Sequence, residues 1–352
     1  MKQHFLLSAK ARTLSVVQVA RMSEDEARAA FRAVRFAENG GEPFCPHCGV
    51  DAIYEISSRR LFKCKGCERQ FSLTSGTLFA SRKLSFRDIL AAIMIFVDGV
   101  DGCAALRIGR DLNVSYKTAF AMAHKLREAM GSMRTADKLT GIVEIDGVWV
   151  GGHIKPRNPT EARKDRRKLN PKDYSPEEWQ DVLTARAKRK VLVSVRERRR
   201  GGRTLSMVCD QEKDAVAFIL AVTDEHATIH ADEGSGWASL HFHRLVKQVT
   251  HKKRYVEVKD GHTVHTNWCE SFNSRVRRAE RGVYHRMSGR YLQGYADEIG
   301  WREDFRRVSN GQQFAAVLRA TANAPVSRSM KGYWQRRAGD DLGARPRMLL
   351  PG

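Results

Sequence analysis

The feature that most constrains how this chain can fold is a pair of matched cysteine knuckles. In the segment CPHCGVDAIYEISSRRLFKCKGC, Cys45 and Cys48 enclose two residues, and after fifteen more the same spacing returns with Cys64 and Cys67. Two knuckles at this separation bring four thiolates to the corners of a tetrahedron, the closed geometry of one structural Zn²⁺. Paired disulfides are the poorer reading. The start MKQHFLLSAKARTL has no apolar run or cleavage site for export, and the most apolar stretch, Leu90 to Val97, is too short to cross a bilayer. A cytoplasmic, nucleoid-associated chain without membrane contact is therefore expected, and such a chain does not keep stable disulfides. A thioredoxin-like site is likewise the poorer reading, since it uses one CxxC in a βαβ setting and not a matched pair. Residues 53–62 are β-branched and aromatic enough for a short hairpin, so residues 41–80 read as a zinc ribbon. His47 sits inside the first knuckle as a surface residue, and Cys103, Cys209 and Cys269 read as small buried hydrophobes.

The stretch 1–40 reads as an N-terminal helical segment, and a second helical module is expected over residues 81–138. Ser85 is an N-cap with Asp88 at the third helical position, opening a helix from Phe86 to Val97 that Asp98-Gly99 ends. Helices from Ala104 to Leu112 and from Tyr116 to Met130, joined by a short turn, have helix-turn-helix spacing. In that arrangement Ser115, Tyr116, Lys117 and Thr118 form the groove-facing start of the recognition helix. Short amphipathic helices also build modules that bind no DNA, so the pattern alone leaves both readings open.

From Gly141 the hydrophobic period changes from helical to extended. Residues 142–150 (IVEIDGVWV), 190–195 (KVLVSV) and 204–208 (TLSMV) read as three strands, with RERRRGG as a tight basic turn between the last two. A helix from Ala215 to Val222, a strand from Ala227 to His230, a helix around Trp237 to Val246, a strand from Tyr255 to Val258 and a helix from about Asn267 follow. The order βββαβαβα predicts a mixed α/β sheet of ribonuclease H-like type: three antiparallel strands, then crossover helices that permit parallel neighbours. This core is expected over residues 139–310, with a basic tail at 311–352.

The acids fall where such a sheet can use them. Asp146 lies within the first strand, Asp232 ends the fourth, and Glu270 stands in the first turns of the helix after the fifth. Three converging carboxylates are costly without cations, and their oxygens are the ligands that Mg²⁺ prefers. A pair of Mg²⁺ or Mn²⁺ ions held this way suits in-line phosphodiester chemistry. The bland reading makes Asp146 a bulge residue, Asp232 a turn acid and Glu270 a helix N-terminal acid favoured by the dipole. Their joint placement in the right elements favours the metal site.

The motifs FCPHCG (44–49), SYKTAFAMAHKLREAM (115–130), EIDGVWVGG (144–152), IHADEGSGW (229–237) and HTNWCESFNSRVRR (265–278), extended by RGVYHRMSGRYLQGYADEIGWRED (281–304), carry a resemblance. With them, from about Phe44 to Arg307, the chain resembles bacterial insertion-sequence DDE transposases of the fifteen-ninety-five group. The likeness implies a zinc ribbon held by the four cysteines ahead of an integrase-type domain in which Asp146, Asp232 and Glu270 are the catalytic acids. The last catalytic position varies in this group, and Asn267, Glu298, Glu303 and Asp304 are alternatives. Glu270 is preferred because it closely follows a strand, with 37 residues between it and Asp232. The chain departs from the group in an insertion at 153–189, rich in proline and basic residues, that reads as an exposed loop, either clamping phosphates or merely solvated.

Charge agrees with a nucleic-acid partner. The net charge is +22, yet residues 1–150 hold 22 Lys and Arg against 16 Asp and Glu, so most of the excess lies beyond them. Arg275, Arg277 and Arg278 follow Glu270 on its helix as a basic stripe for DNA phosphates. Trp149, Trp237 and Trp268 lie within five residues of an acid; core packing is their more frequent use and base stacking the rarer one. His265, Asn267 and the Tyr284–His285 pair could orient a phosphate or the attacking water or be satisfied structural residues, and Glu270 stays the preferred acid over Asn267. The expected function is a transposase that binds its element's ends as a homo-oligomer on DNA, frees a 3′ hydroxyl and transfers that strand to a target. The rival is an inactive, domesticated zinc-ribbon regulator, and a purely hydrolytic nuclease of the same fold is a third reading.

Overall fold

The computed structural model describes residues 4–133, 137–151, 171–187, 189–250, 256–259, 262–327 and 329–330. The insertion expected at 153–189 thus lies outside the described residues as far as 170, as does the tail beyond 330. The chain forms two compact units, one of residues 1–135 with 297–343 and one of residues 136–296 with 344–352.

In the first unit, α1 (Val16–Ala20) and α2 (Glu24–Arg35) each open on a serine capping box, Ser15 with Gln18 and Ser23 with Glu26. The reciprocal bonds satisfy amide groups that a helix start otherwise leaves open. Next come β1 (Ile53–Ile56), β2 (Leu61–Cys64) and β3 (Gln70–Phe71), an antiparallel sheet in that order. This is the hairpin expected between the knuckles, with Ile53 opposite Cys64. Helix α3 (Phe86–Asp98) is capped as predicted, the Ser85 hydroxyl accepting from Asp88 N at 3.0 Å. All its residues from Ile89 to Val97 are buried, so it is the central helix of this unit. Helices α4 (Ala105–Asp111) and α5 (Tyr116–Ser132) follow. The turn between them passes through Asn113 at φ +50°, a left-handed conformation that asparagine tolerates. Gly109 admits the turn closely: a Cβ there would lie 3.3 Å from Val114 O and 3.5 Å from the Ala119 methyl.

The second unit is built on β4 (Ile142–Val150), β5 (Lys190–Glu197), β6 (Thr204–Cys209), β7 (Thr228–Asp232) and β8 (Leu245–Val249), arranged β6-β5-β4-β7-β8. The β4, β5 and β6 strands are antiparallel neighbours, while β7 and β8 run parallel to β4. Helix α6 (Pro176–Ala187) precedes β5, and α7 (Val216–Val222) joins β6 to β7. The fifth strand corrects the sequence reading. The helix expected from Trp237 to Val246 is a short 3₁₀ helix, Ser235–Phe242, followed by a strand. Trp237 and Leu240 set the helical period by pointing into the core, and the 3₁₀ helix satisfies it. The segment 233–244 is the minimum that a parallel crossover needs, which frees Leu245–Val249 to pair with β7. The strand expected at Tyr255 to Val258 is outside this sheet: β9 (Glu257–Lys259) pairs only with β10 (His262–Val264).

Alternation along β4 gives the sheet two unlike faces. Val143 and Ile145 join Val193, Val195, Ile229 and Ala231 in an apolar core with Phe218 and Ile219 of α7, Trp237 and Leu240. On the other face lie Glu144, Asp146 and, directly across from Asp146 on β5, Ser194. Helix α8 (Asn267–Ala279) covers this polar face: Cys269 Sγ donates to Glu144 O at 3.1 Å, and Asn273 bonds both Ser194 and Asp146.

Helix α9 (Leu292–Asp304) carries the chain back into the first unit, where Trp301 is buried in the core. Helix α10 (Asn310–Asn323) corrects the expectation of a tail from 311. Its capping box pairs Ser309 with Gln312, and Val317, Leu318 and Ala322 are buried in the core of the first unit.

Candidate functional site

The cysteine centre belongs to the first unit. Among the described residues, Cys45, Cys48, Cys64 and Cys67 are the only group of three or more His, Cys, Asp or Glu whose ligand atoms all lie within 4.8 Å of one another. The Sγ atoms of Cys45 and Cys67 are 3.6 Å apart, and those of Cys48 and Cys64 are 3.5 Å apart. Zinc–sulfur bonds of about 2.3 Å in a tetrahedron place sulfurs about 3.8 Å apart, so the four fit zinc. Backbone amides support them: His47 N donates to Cys45 Sγ at 3.4 Å, and Gly66 N and Cys67 N donate to Cys64 Sγ at 3.3 and 3.4 Å. The amide of Cys67 is the main cause that brings the Cys64 thiol down to about 7, while, against the backbone bond at Val50, burial and the neighbouring thiols push the Cys48 thiol up to about 12. His47 contributes its backbone alone to these contacts, as its place in the knuckle predicted.

The acids belong to the second unit. The β4 and β7 strands pair in parallel register, Ile142 with Thr228 through Glu144 with His230, and continuing it brings Asp146 level with Asp232. Asp146 Oδ2 accepts from Asn273 Nδ2 at 2.8 Å, and its Oδ1 accepts from Gly147 N at 2.8 Å. Asp232 Oδ1 accepts from the indole Nε1 of Trp237 at 2.8 Å and from Gly234 N at 3.3 Å. Glu270 Oε1 accepts from the Thr266 hydroxyl at 3.4 Å. Burial and then the charge of Asp232 push the Asp146 carboxyl up to about 7; Glu270 adds to the rise, and the two hydrogen bonds oppose it. The negative field of both other acids therefore reaches Asp146.

These oxygens suit divalent cations. A buried carboxyl raised by two neighbouring acids is a group whose ionisation a cation would restore. The three acids are not all within 4.8 Å of one another, as the cysteines are.

Two further acids lie beside this trio, and sequence reasoning assigned neither a role. Glu144 is fully buried. Its Oε2 accepts from Trp268 N at 2.8 Å and Cys269 N at 3.3 Å, the opening amides of α8. Its Oε1 lies 3.0 Å from His265 Nδ1 and 3.7 Å from Arg198 Nε. Glu144 thus ties the strand of Asp146 to the start of the helix that carries Glu270 and Asn273. The signal was available, since Glu144 stands two residues before Asp146 and alternation puts both on one face. Glu212, half-buried in the 3₁₀ helix after β6, has its carboxyl raised by burial and then by the charge of Asp232. No motif marks it.

Other predicted residues divide clearly. Ser115, Lys117 and Thr118 are exposed at the start of α5, where Ser115 Oγ accepts from Thr118 N at 3.3 Å. Arg277 and Arg278 are exposed on α8, and Arg275 is half-buried there. The alternatives Glu298, Glu303 and Asp304 fall in the first unit. There Glu298 is fully buried, its carboxylate 2.7 Å from Arg127 Nε and 2.9 Å from the Arg302 guanidinium. Trp237 is wholly buried, the Arg196 guanidinium lies 5.1 Å from the Trp268 ring centre, and Trp149 is 46 % exposed. No described helix is long and apolar enough to cross a membrane.

Comparison with known proteins bears on both units. A family model described as a transposase zinc-ribbon domain matches residues 22–70, and one described as an ISXO2-like transposase domain matches residues 138–304. An uncharacterized protein in transposable element ISH50 of Halobacterium salinarum is 26 % identical over 126 residues. That alignment covers 35 % of this chain and 42 % of the relative. No solved structure matches.

Proposed function

Since the chain belongs to the fifteen-ninety-five group of insertion-sequence transposases, we propose that it binds the ends of its element and catalyses metal-dependent cleavage and transfer of DNA strands. The observation that carries this reading is the field of Asp232 and Glu270 at Asp146, on neighbouring parallel strands under one covering helix. The sheet order, three antiparallel strands followed by two parallel ones, supports a ribonuclease H-like core. In this reading Asp146, Asp232 and Glu270 hold two Mg²⁺ or Mn²⁺ ions. When bound, such a pair supplies activation of the attacking oxygen and stabilisation of the leaving one.

The chain's own residues prepare the site. Asn273 and Gly147 N hold the Asp146 carboxylate at both oxygens, and the Trp237 indole fixes Asp232. Neither acid needs to reorient when phosphate arrives, which is the use of such preorganisation. Arg277 and Arg278 stand beyond Glu270 on α8, where their charges grip the backbone of the strand being cut. The exposed start of α5, with Ser115, Lys117 and Thr118, reads the element end, and the zinc ribbon steadies that module. Cleaving and joining two ends calls for a homo-oligomer on DNA.

The test is cleavage and strand transfer on DNA that carries the sequences flanking the gene, with Mg²⁺ or Mn²⁺ supplied. Asp146→Ala and Asp232→Ala abolish both reactions and leave DNA binding in place. End binding by the intact protein without any metal-dependent cleavage would overturn this reading in favour of a regulator.

A further inference from the structure

We infer that Glu212 belongs to the cation-binding set as a fourth carboxylate, a role that rests on the metal-dependent reading of Asp146 and Asp232. The argument is one of space. A Cβ built on Gly147, the residue after Asp146, would lie 2.4 Å from Glu212 Oε1 and 3.0 Å from its Cδ. A Cβ on Gly236, in the 3₁₀ helix after Asp232, would lie 2.9 Å from Glu212 Cβ and 3.3 Å from its Oε2. The Glu212 side chain therefore fills room left by two glycines, one beside each aspartate, and any larger residue there would displace it.

That placement is costly for a structural acid. Glu212 is half-buried, among the described residues no arginine or lysine contributes to its carboxyl's shift, and Asp232 opposes its ionisation. An acid serving only to cap its 3₁₀ helix has no need of this position; the reciprocal cap there is made by Gln211 and Asp214. Among the described residues no cation pairs with this carboxylate, and a carboxylate brought to the residues beside two metal-binding aspartates is placed to share their cation.

The two glycines also provide a test that leaves the charge inventory intact. In Gly147→Ala the nearest obstruction is the far end of a flexible side chain, so the strand accepts alanine while the Glu212 carboxyl swings away. Mn²⁺ binding to the full-length, zinc-loaded protein is followed by the paramagnetic resonance signal of free Mn²⁺, with no DNA present. Glu212→Gln and Gly147→Ala each weaken Mn²⁺ binding about tenfold. The double variant falls no further than Glu212→Gln alone, because both remove the same ligand. Glu233→Gln, which neutralises an exposed neighbouring acid, stays within about twofold of the parent. Zinc content and the metal-free melting temperature identify any variant that has failed to fold, and the other variant then decides. Binding within about twofold of the parent in Glu212→Gln, while Asp146→Asn and Asp232→Asn lose it, overturns the assignment of Glu212 alone. Undiminished binding in all three overturns the cation site itself.

Discussion

Replacing Asp146 by asparagine tests the proposed site through stability, without DNA or turnover. Burial and the charges of Asp232 and Glu270 raise this carboxyl from 3.8 to about 7. A group whose folded value stands above its unfolded one favours the fold when protonated. That contribution is complete below about pH 4 and is lost as pH rises through 7. Relative to a neutral side chain, the ionising carboxyl then costs the metal-free fold about 1.5 kcal/mol at pH 5 and about 4 kcal/mol at pH 8. The substituted side chain keeps the shape, and a rotation of both amides lets Asn273 accept from it while donating to Ser194. Asp146→Asn therefore raises the melting temperature of protein freed of Mg²⁺ and Mn²⁺, and the gain is larger by about 2–3 kcal/mol at pH 8 than at pH 5. For a unit of this size the difference amounts to about 5–10 °C. Saturating Mn²⁺ reverses the order at pH 8, because the cation stabilises the parent by mass action and finds no anion at position 146 in the variant. Scanning calorimetry at the two pH values, with and without Mn²⁺, reads all four states. An equal effect at both pH values, or a parent that gains nothing from Mn²⁺, would refute the reasoning.

Four further outcomes are expected. Cys64→Ser loses the bound zinc, and limited proteolysis then cuts within residues 41–80, since a structural zinc site supplies folding energy that the short ribbon lacks. Glu298→Gln leaves the buried Arg127 and Arg302 without their anion and costs about 3–5 kcal/mol in urea unfolding. Strand cleavage survives in that variant at low temperature if Glu270, and not Glu298, is the third acid. Glu144→Ala strips the opening amides of α8 of their acceptor and Arg198 of its buried partner, so amide exchange at Trp268 and Cys269 accelerates and cleavage falls with all three acids intact. Lys117→Ala weakens binding to element ends and lowers the slope of log affinity against log salt by about 1 in titrations over a range of salt concentrations.

How much of this was legible in the sequence depends on whether the cause was local. The cysteine knuckles, the Ser85 cap and the strand of EIDGVWV could be read because spacing, capping chemistry and alternation act within a few residues. The fifth strand could not. Trp237 and Leu240 have helical spacing, but what turns Leu245–Val249 into a strand is the open edge of β7, which lies elsewhere in the chain. Helix α10 was missed for a similar reason: its apolar face is satisfied by a core built mostly from residues 19–130, far earlier in the chain. Within the site, Asp146 and Asp232 stood in recognisable motifs. Glu212 did not, and its place follows only from the absence of a side chain at Gly147 and Gly236.

The polar face of the sheet also explains why helix α8 can lie over buried acids. Covering a carboxylate normally costs far more than the helix contacts return, unless the charge is paired and hydrogen-bonded. At the N-terminal end of the helix this condition is met in part, since burial still pushes the Glu144 carboxyl up to about 7 against two amides and Arg198. Glu144 accepts two of the amides that a helix start leaves open, where the dipole favours an anion, and Arg198 lies 3.7 Å away. One turn further along, the pairing changes character. Asp146 has the neutral amide of Asn273 and a backbone N–H as its partners, with two acids raising its pKa. The same sheet face thus holds two buried carboxyls pushed up to about 7, Glu144 beside Arg198 and Asp146 beside the neutral amide of Asn273. A helix anchored at Glu144 by its opening amides holds Asn273, one turn further along, in place over Asp146.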